Sequence, residues 1–366
     1  MQEKAWYRID EEEKVPSPSL LIYPQRVKEN IATMIRMTGG ADKLRPHIKT
    51  HKMAEVVELQ LKYGINKFKC ATIAEAELLG TCKAPDVLLA MQPVGPNIKR
   101  FLDLMDRFPQ TKFSTLVDHE TSVKDIGSQA KERGLKATLY LDLNVGMDRT
   151  GIKPSEEALA LYKMIHDHVA LNPAGLHAYD GHIRNPDLVK QKEECDRVFE
   201  SVTCMKTELK KSGLPVNEVI AGGSPSFPVH AKRQGVIASP GTTLLWDARY
   251  GESFSEMEFR VAAVLLTRVI SKPAEGILCL DLGHKSVAPE MDFPRVRILG
   301  MESAEQIGQS EEHLVLRTKD APDIPIGTVF YAIPMHICPT VAKYPAALTV
   351  EKGRITGSWK VAARDH

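Results

Sequence analysis

The chain lacks the marks of several protein classes. Its six cysteines (Cys70, Cys82, Cys195, Cys204, Cys279, Cys338) are scattered, and no two are spaced as CxxC. Over 366 residues that is too sparse for a disulfide framework, and it reads as reduced thiols in a cytoplasmic protein. There is no basic excess, since 48 Lys and Arg oppose 47 Asp and Glu. A nucleic-acid binder normally shows one, so no nucleic-acid partner is expected. No uninterrupted apolar run approaches the roughly 20 residues of a membrane span. The opening "MQEKAWYRIDEEEK" is charged and holds no apolar signal core. The expectation is a soluble protein with no membrane partner. An apolar content of 43% suffices for a large core, and the length suggests one large domain plus a smaller one.

What is present is a repeated strand-like run followed by a helix-like run. Counting from "LRPHIKTHK", eight strands are predicted at 44–52, 67–72, 86–91, 112–117, 136–143, 174–180, 217–223 and 236–241. Strand and helix in alternation point to a parallel sheet, and eight such units to an α/β fold of the TIM (β/α)8 barrel type. An open doubly wound sheet is the alternative. After about residue 255 the texture changes. "EFRVAAVLLTRVISKP", "GILCLDLG", "HLVLRT", "TVFYAI" and "RITGSWKVAA" read as strands without intervening helices. A C-terminal, mostly antiparallel β domain is expected there. The expected organisation is an N-terminal segment 1–18 that joins the β domain, a barrel over 19–255, and the β domain over 256–366.

Four stretches carry candidate chemistry. In "RPHIKTHK" a strand would set Arg45, His47, Lys49 and His51 on one face. A lysine inside a barrel and flanked by cations should have a depressed pKa, which frees its amine as nucleophile or base. The alternative is a solvated, charge-rich edge strand. In "VIAGGSPSF", Gly222, Gly223 and Ser224 follow the seventh strand, where barrel phosphate sites commonly lie, although a Gly-Gly pair also makes an ordinary turn. In "IPMHICPTV" a strand would place His336 and Cys338 on one face to share a metal; a buried cysteine beside a surface histidine is the alternative. In "NVGMDRTGI", Gly146 and Gly151 permit a tight turn that presents Arg149, either to the barrel mouth or to a surface ion pair.

Taken in order, "SPSLLIY", "RPHIKTHK", "NVGMDRTG", "LHAYDGH", "AGGSPSF", "PGTTLLWDARYG", "LDLGHKS" and "HICPT" resemble the D-threonine aldolase and eukaryotic-type D-serine dehydratase family. These are fold-type III pyridoxal phosphate enzymes related to the barrel of alanine racemase. The resemblance covers nearly the whole chain. It implies that Lys49 holds the cofactor as a Schiff base, and that Gly222, Gly223 and Ser224 cradle its phosphate with Gly241 and Thr242 nearby. It also implies that Arg149 approaches the pyridine nitrogen, that Tyr179 fixes the cofactor, and that His336 and Cys338 bind a divalent metal. His51, Asp180 and His182 are candidates for a second general base by position alone. The substrate would be a small β-hydroxy D-amino acid, and the assembly a homodimer. Two positions depart from the aldolase pattern: His336-Ile337-Cys338 stands where aldolases carry His-x-Asp, and Asp180 where they tend to have His. A thiolate favours zinc, whereas a carboxylate would suit manganese or magnesium. Aldol cleavage to glycine and an aldehyde is expected, with elimination to a 2-oxo acid and ammonia as the close alternative. A racemase would share the barrel and the lysine but would have no use for the His336/Cys338 pair.

Overall fold

A computed structural model describes residues 5–365. The chain folds as a TIM-type barrel and a mostly antiparallel β domain, and it divides into two compact units. One unit comprises Met34–Lys49 and Val57–Gly241; the other takes the chain through Thr33, a short return at Thr50–Val56, and Thr242–Arg364.

In chain order β1 (Ser19–Ile22) comes first and belongs to the second unit. The barrel unit contains β2 (Lys67–Cys70), β3 (Asp86–Leu89), β4 (Lys112–Val117), β5 (Ala137–Leu143), β6 (Leu171–Ala178), β7 (Glu218–Ala221) and β8 (Ile237–Ala238). All are parallel and paired in sequence order. They coincide with seven of the eight predicted strands. Helices follow in between, as the alternation requires; Thr72 caps Ile73–Thr81 by accepting the Glu75 N–H at 3.1 Å, a common way to satisfy a free helix donor.

The remaining predicted strand, 44–52, is not regular. Leu44 bridges Ala238 of β8, and His47 bridges Lys69 of β2. The ring therefore closes through single bridges, with Arg45 N–H on the Ala238 carbonyl at 2.9 Å and Lys69 N–H on the Pro46 carbonyl at 2.9 Å. Pro46 has no N–H to give a ladder, and Ile48–Thr50 then winds into a 3₁₀ turn. The expected one-sided row of Arg45, His47, Lys49 and His51 is thereby broken.

Alternation along the strands sorts the barrel interior into layers. At the N-terminal ends of the strands, fully buried Arg45 pairs Asp86 at 2.7 Å and Glu218 at 3.1 Å. Lys67 also pairs Glu218, and the Tyr140 hydroxyl donates to Glu218 at 2.8 Å. Above lies an apolar layer of Leu88, Leu116, Tyr140, Ala174 and Ile220. Toward the C-terminal ends the interior turns polar again with Lys69, Asp142 and His177, all buried.

The second unit adds β9 (Ala263–Ser271), β10 (Ile277–Leu280), β11 (Val296–Leu299), β12 (Glu305–Gln309), β13 (Leu314–Arg317), β14 (Val329–Pro334), β15 (Ala346–Glu351) and β16 (Arg354–Lys360). Its order is β12-β13-β10-β9-β1-β15-β16, with β14 on β9 and β11 on β14. β1 runs antiparallel to β9 and parallel to β15. Its residues Leu20–Ile22 are buried, and Leu21 joins a core with Tyr23, Val264, Leu266, Tyr331 and Val350. The β unit therefore claims the chain through Thr33 and from Thr242 onward, beyond the expected limits of 18 and 256. An apolar strand edge-paired on both sides decides this.

Candidate active site

In the barrel unit, the polar layer at the strand ends collects the candidate residues. Lys49 is half-buried in the 3₁₀ turn, and its N–H donates to His47 Nδ1 at 3.2 Å. Asp142 of β5 and His177 of β6 stand in register, and Asp142 Oδ1 lies 2.7 Å from His177 Nδ1. A carboxylate on Nδ1 fixes the proton there and leaves Nε2 as an acceptor. That Nε2 is buried and, among the described residues, has no hydrogen-bond partner. Burial lowers the His177 pKa and outweighs the Asp142 bond that raises it, so the ring stays neutral.

The loop after β5 is built to present Arg149. Asn144 Oδ1 accepts the N–H groups of Gly146 and Asp148 at 3.1 and 3.2 Å. Gly151 (φ +98°) lies so close to Asn144 that a Cβ there would meet its nitrogen at 2.5 Å. The Arg149 guanidinium rests 4.7 Å from the Tyr179 ring centre, and among the described residues no carboxylate pairs with it. The surface ion pair weighed from sequence is thus absent there. Tyr179 in turn lies over Gly223, where a Cβ would touch the ring at 2.9 Å.

The loop after β7 is held from beneath. Gly222 (φ +82°) has its N–H on the Ala178 carbonyl at 3.1 Å, and the Gly223 N–H donates to Ser226 Oγ at 3.2 Å. Ser224 Oγ accepts the Gly241 N–H at 3.1 Å. Both glycine N–H groups are committed inside the loop, so the glycines contribute space more than donors.

Asp180 is placed differently from a base at the barrel mouth. It is buried, with Oδ1 accepting from Ser226 at 2.6 Å and Oδ2 lying 2.7 Å from His230 Nε2. Burial raises its pKa, but the His230 and Ser226 bonds outweigh it and hold the carboxyl below its usual range. An anion so tied is a poor proton acceptor; it anchors the glycine loop. The ligand atoms of Asp180, Cys195 and His230 lie within 4.8 Å of one another, a spacing that suits a metal. Yet a 2.7 Å contact between Asp180 and His230 is that of a shared proton, and burial with the nearby Asp180 charge pushes the Cys195 thiol up to about 12. We read this cluster as a hydrogen-bonded support. His51, the other candidate base, is buried in the β unit; its Nδ1 accepts the Met53 N–H at 3.2 Å, and burial pulls its pKa down to about 3. His182, by contrast, is exposed beside Gly146.

The β unit holds the His336–Cys338 pair. β14 ends at Pro334, and His336 is the N-cap of a short helix, Ile337–Val341, that carries Cys338 in its first turn. The two side chains come together across a helix start and not along a strand face as expected. His336 hydrogen-bonds Cys338, and Glu290 takes its Nδ1 at 2.5 Å. Burial lowers the His336 pKa, but Cys338, Glu290 and Asp247 outweigh it and raise it to about 9. Asp247 is buried and accepts the Ile337 N–H at 3.2 Å. Cys338 Sγ also lies 3.1 Å from the hydroxyl of Thr50, the residue that follows Lys49 in the chain, and 3.5 Å from that of Thr242. Imidazole plus thiolate suits a divalent metal, and a carboxylate on the far ring nitrogen is the usual support for a ligating histidine.

Residues 22–248 match the alanine racemase N-terminal domain, and residues 262–350 a putative serine dehydratase domain. The chain belongs to the alanine racemase N-terminal domain family. Within it, this member resembles a D-threonine aldolase of Arthrobacter sp., 26% identical over 96% of this chain and 93% of that protein. A D-threo-3-hydroxyaspartate dehydratase of Delftia sp. is 24% identical over 94% of this chain and 96% of that one. The crystal structure of D-threonine aldolase from Filomicrobium marinum superposes with a TM-score of 0.88 at 23% identity, covering 100% and 99% of the two chains. The resemblance drawn from the ordered motifs is thus shown, as is the fold. Sequence reasoning gave no role to His177, Lys69, Glu290 or Asp247. Strand parity could have found the first two, since Lys69 shares a face with Lys67 on β2 and His177 stands in register with Asp142 on β5.

Proposed function

We propose that this enzyme is a pyridoxal phosphate- and divalent-metal-dependent lyase acting on β-hydroxy D-amino acids, and that it cleaves them to glycine and an aldehyde. Support comes from one combination: a barrel lined for an anionic aromatic cofactor, and a His336–Cys338 pair that racemisation would not use.

Several features of the barrel support such a cofactor. Among the described residues, buried His177 Nε2 has no hydrogen-bond partner, no side chain hydrogen-bonds or pairs with Lys69 of the buried polar layer, no carboxylate pairs with Arg149, and Gly222 and Gly223 pack so tightly against His230 and Tyr179 that a Cβ would strike them. Bound there, pyridoxal phosphate would supply an electron sink for negative charge at the substrate's Cα. Lys49 offers the amine that holds it covalently, and the free Nζ is a proton acceptor. Ser224 gives the phosphate a hydroxyl within a loop anchored on Asp180, with Gly241 and Thr242 following in the chain. Arg149 donates to an acceptor on the ring, and Tyr179 bounds the site. His177, neutral and with its tautomer set by Asp142, presents an acceptor nitrogen. His336 and Cys338 would hold the metal, whose charge acidifies a hydroxyl or helps it depart. The thiolate favours zinc, with manganese or magnesium as alternatives. A cytoplasmic homodimer is the expected setting. Among the described residues no helix is long and apolar enough to cross a membrane.

Elimination is the second reading, favoured by Cys338, because His-x-Cys resembles the dehydratases. Incubation with D-threonine, pyridoxal phosphate and a divalent metal separates the two. Glycine and acetaldehyde establish aldol cleavage, whereas 2-oxobutanoate and ammonia establish elimination. Turnover that survives a chelator, with interconversion of alanine enantiomers, would favour the racemase.

A further inference from the structure

Lys69 is the residue whose placement the reaction as described above leaves unexplained. It lies on β2, in register with Leu88 of the inner apolar layer, so its side chain enters the barrel. It is 3% exposed. Among the described residues nothing hydrogen-bonds or pairs with its Nζ, which lies 5.8 Å from the centre of the Tyr179 ring. Charges face it from several elements. Lys49 and Arg45 from the closing segment oppose its charge, while Asp142 of β5 and Asp180 after β6 favour it. His177 and Arg149 share the same layer. Burial, then Lys49, pull its pKa down to about 7. An apolar residue of the same length would spare the molecule this desolvated amine. Its counterpart Lys67, two residues earlier on the same face, has Glu218 as a partner.

Resting on the cofactor reading above, we propose that Lys69 is a positioning residue whose amine binds the phenolic oxygen of the pyridine ring and so governs the proton on the Lys49 nitrogen. The argument is one of neighbours. The group that bonds Lys49 sits beside that oxygen on the ring, and His47, two residues before Lys49, bridges Lys69 on β2, so the segment that carries Lys49 lies alongside Lys69. An anionic oxygen supplies the partner the protein withholds. A charged Lys69 bound to that oxygen disfavours a proton on the nitrogen beside it.

The test is a pH titration, from 5 to 10, of the visible absorbance of protein loaded with pyridoxal phosphate and without substrate. Lys69→Met should raise the midpoint by about one unit or more, the size of shift that removal of a neighbouring charge produces. Lys69→Arg, which keeps the charge, should stay near the unaltered protein. Lys69→Gln repeats the measurement if the methionine variant does not fold. A midpoint unmoved in both uncharged variants overturns the proposal, and weakened substrate binding alone would give Lys69 to the substrate carboxylate instead. Absorbance that persists in Lys49→Ala, or never forms, takes down the cofactor reading and this inference with it; absorbance lost in Lys49→Ala but indifferent to Lys69 removes only the inference.

Discussion

Ser226 Oγ accepts the Gly223 N–H at 3.2 Å and donates to Asp180 Oδ1 at 2.6 Å, so a buried carboxylate fixes the glycine loop through one hydroxyl. Asp180→Ala would strip Ser226 and His230 of their shared acceptor. Each buried donor left unpaired costs about 1–3 kcal/mol. We expect a lower melting temperature and pyridoxal phosphate bound roughly tenfold or more weakly, since 1.4 kcal/mol is a factor of ten. Equilibrium dialysis measures the second effect. Unchanged affinity would mean that the loop does not hold the phosphate. Cys195→Ala should leave the bound metal untouched, because we assign that cluster no ion.

Acid should destabilise the fold earlier than its carboxylates require. Burial holds His51 at about 3 and lowers His177, while an unfolded histidine titrates near 6.5. Below about pH 6.5 the unfolded chain therefore binds more protons than the folded one. Stability then falls with pH by up to ~1.4 kcal/mol per unit for each histidine, and for His51 this continues down to its folded value of about 3. Above pH 6.5 neither contributes a slope. Urea unfolding at pH 7, 6 and 5 should show the decline, and His51→Asn should flatten it. A pH-independent midpoint over that range would contradict the burial of both rings.

Much of this arrangement was legible beforehand, and the exceptions share a cause. Seven barrel strands and the β texture after 255 followed from periodicity, which is local. The strand 44–52 did not form because Pro46 and the 3₁₀ turn at Ile48–Thr50 answer to ring closure, a constraint spread between β8 and β2. β1 looked like any strand before a helix, and its membership was decided by β9 and β15, more than two hundred residues away. Among site residues, Lys49, Arg149 and Cys338 were visible as motifs. Asp180 was visible too, but its two partners lie 46 and 50 residues downstream and turn an apparent base into an anchor. Lys69 belonged to no motif, and His177 lay inside "LHAYDGH" without a role, because a polar residue on a barrel strand declares its part only once its neighbours are known.

Arg45 does not share a face with Lys49 and His51, as a regular strand would have required, and instead closes the floor of the barrel against Asp86 and Glu218. Arg45→Met would leave both carboxylates without their buried partner. Breaking such a pair costs about 3–5 kcal/mol. Burial raises the Glu218 pKa, but Arg45 and Lys67 overcome it and hold the group near 2. Its contribution is therefore present above an unfolded value of about 4.5 and is lost as pH falls toward 2. Arg45→Met should lower the urea midpoint at pH 7 and lose much of that difference by pH 3. An equal deficit at both would show that packing, and not charge, is what Arg45 supplies.

Glu290 and Cys338 make separable predictions for the metal. Glu290 holds His336 by Nδ1, which turns the other ring nitrogen toward a ligand. Loss of such a support typically costs 10–100-fold in metal affinity, so Glu290→Gln should bind more weakly with the same metal preference. Cys338→Asp should behave differently. It exchanges a soft thiolate for a hard carboxylate, which moves preference from zinc toward manganese or magnesium. Elemental analysis after dialysis against each ion reads affinity and preference together, and assays in the same ions read turnover. Cys338→Ala should release the metal with little change in the visible absorbance of the loaded barrel. If that variant keeps its metal, the ion lies elsewhere and the proposed role of the His336–Cys338 pair falls.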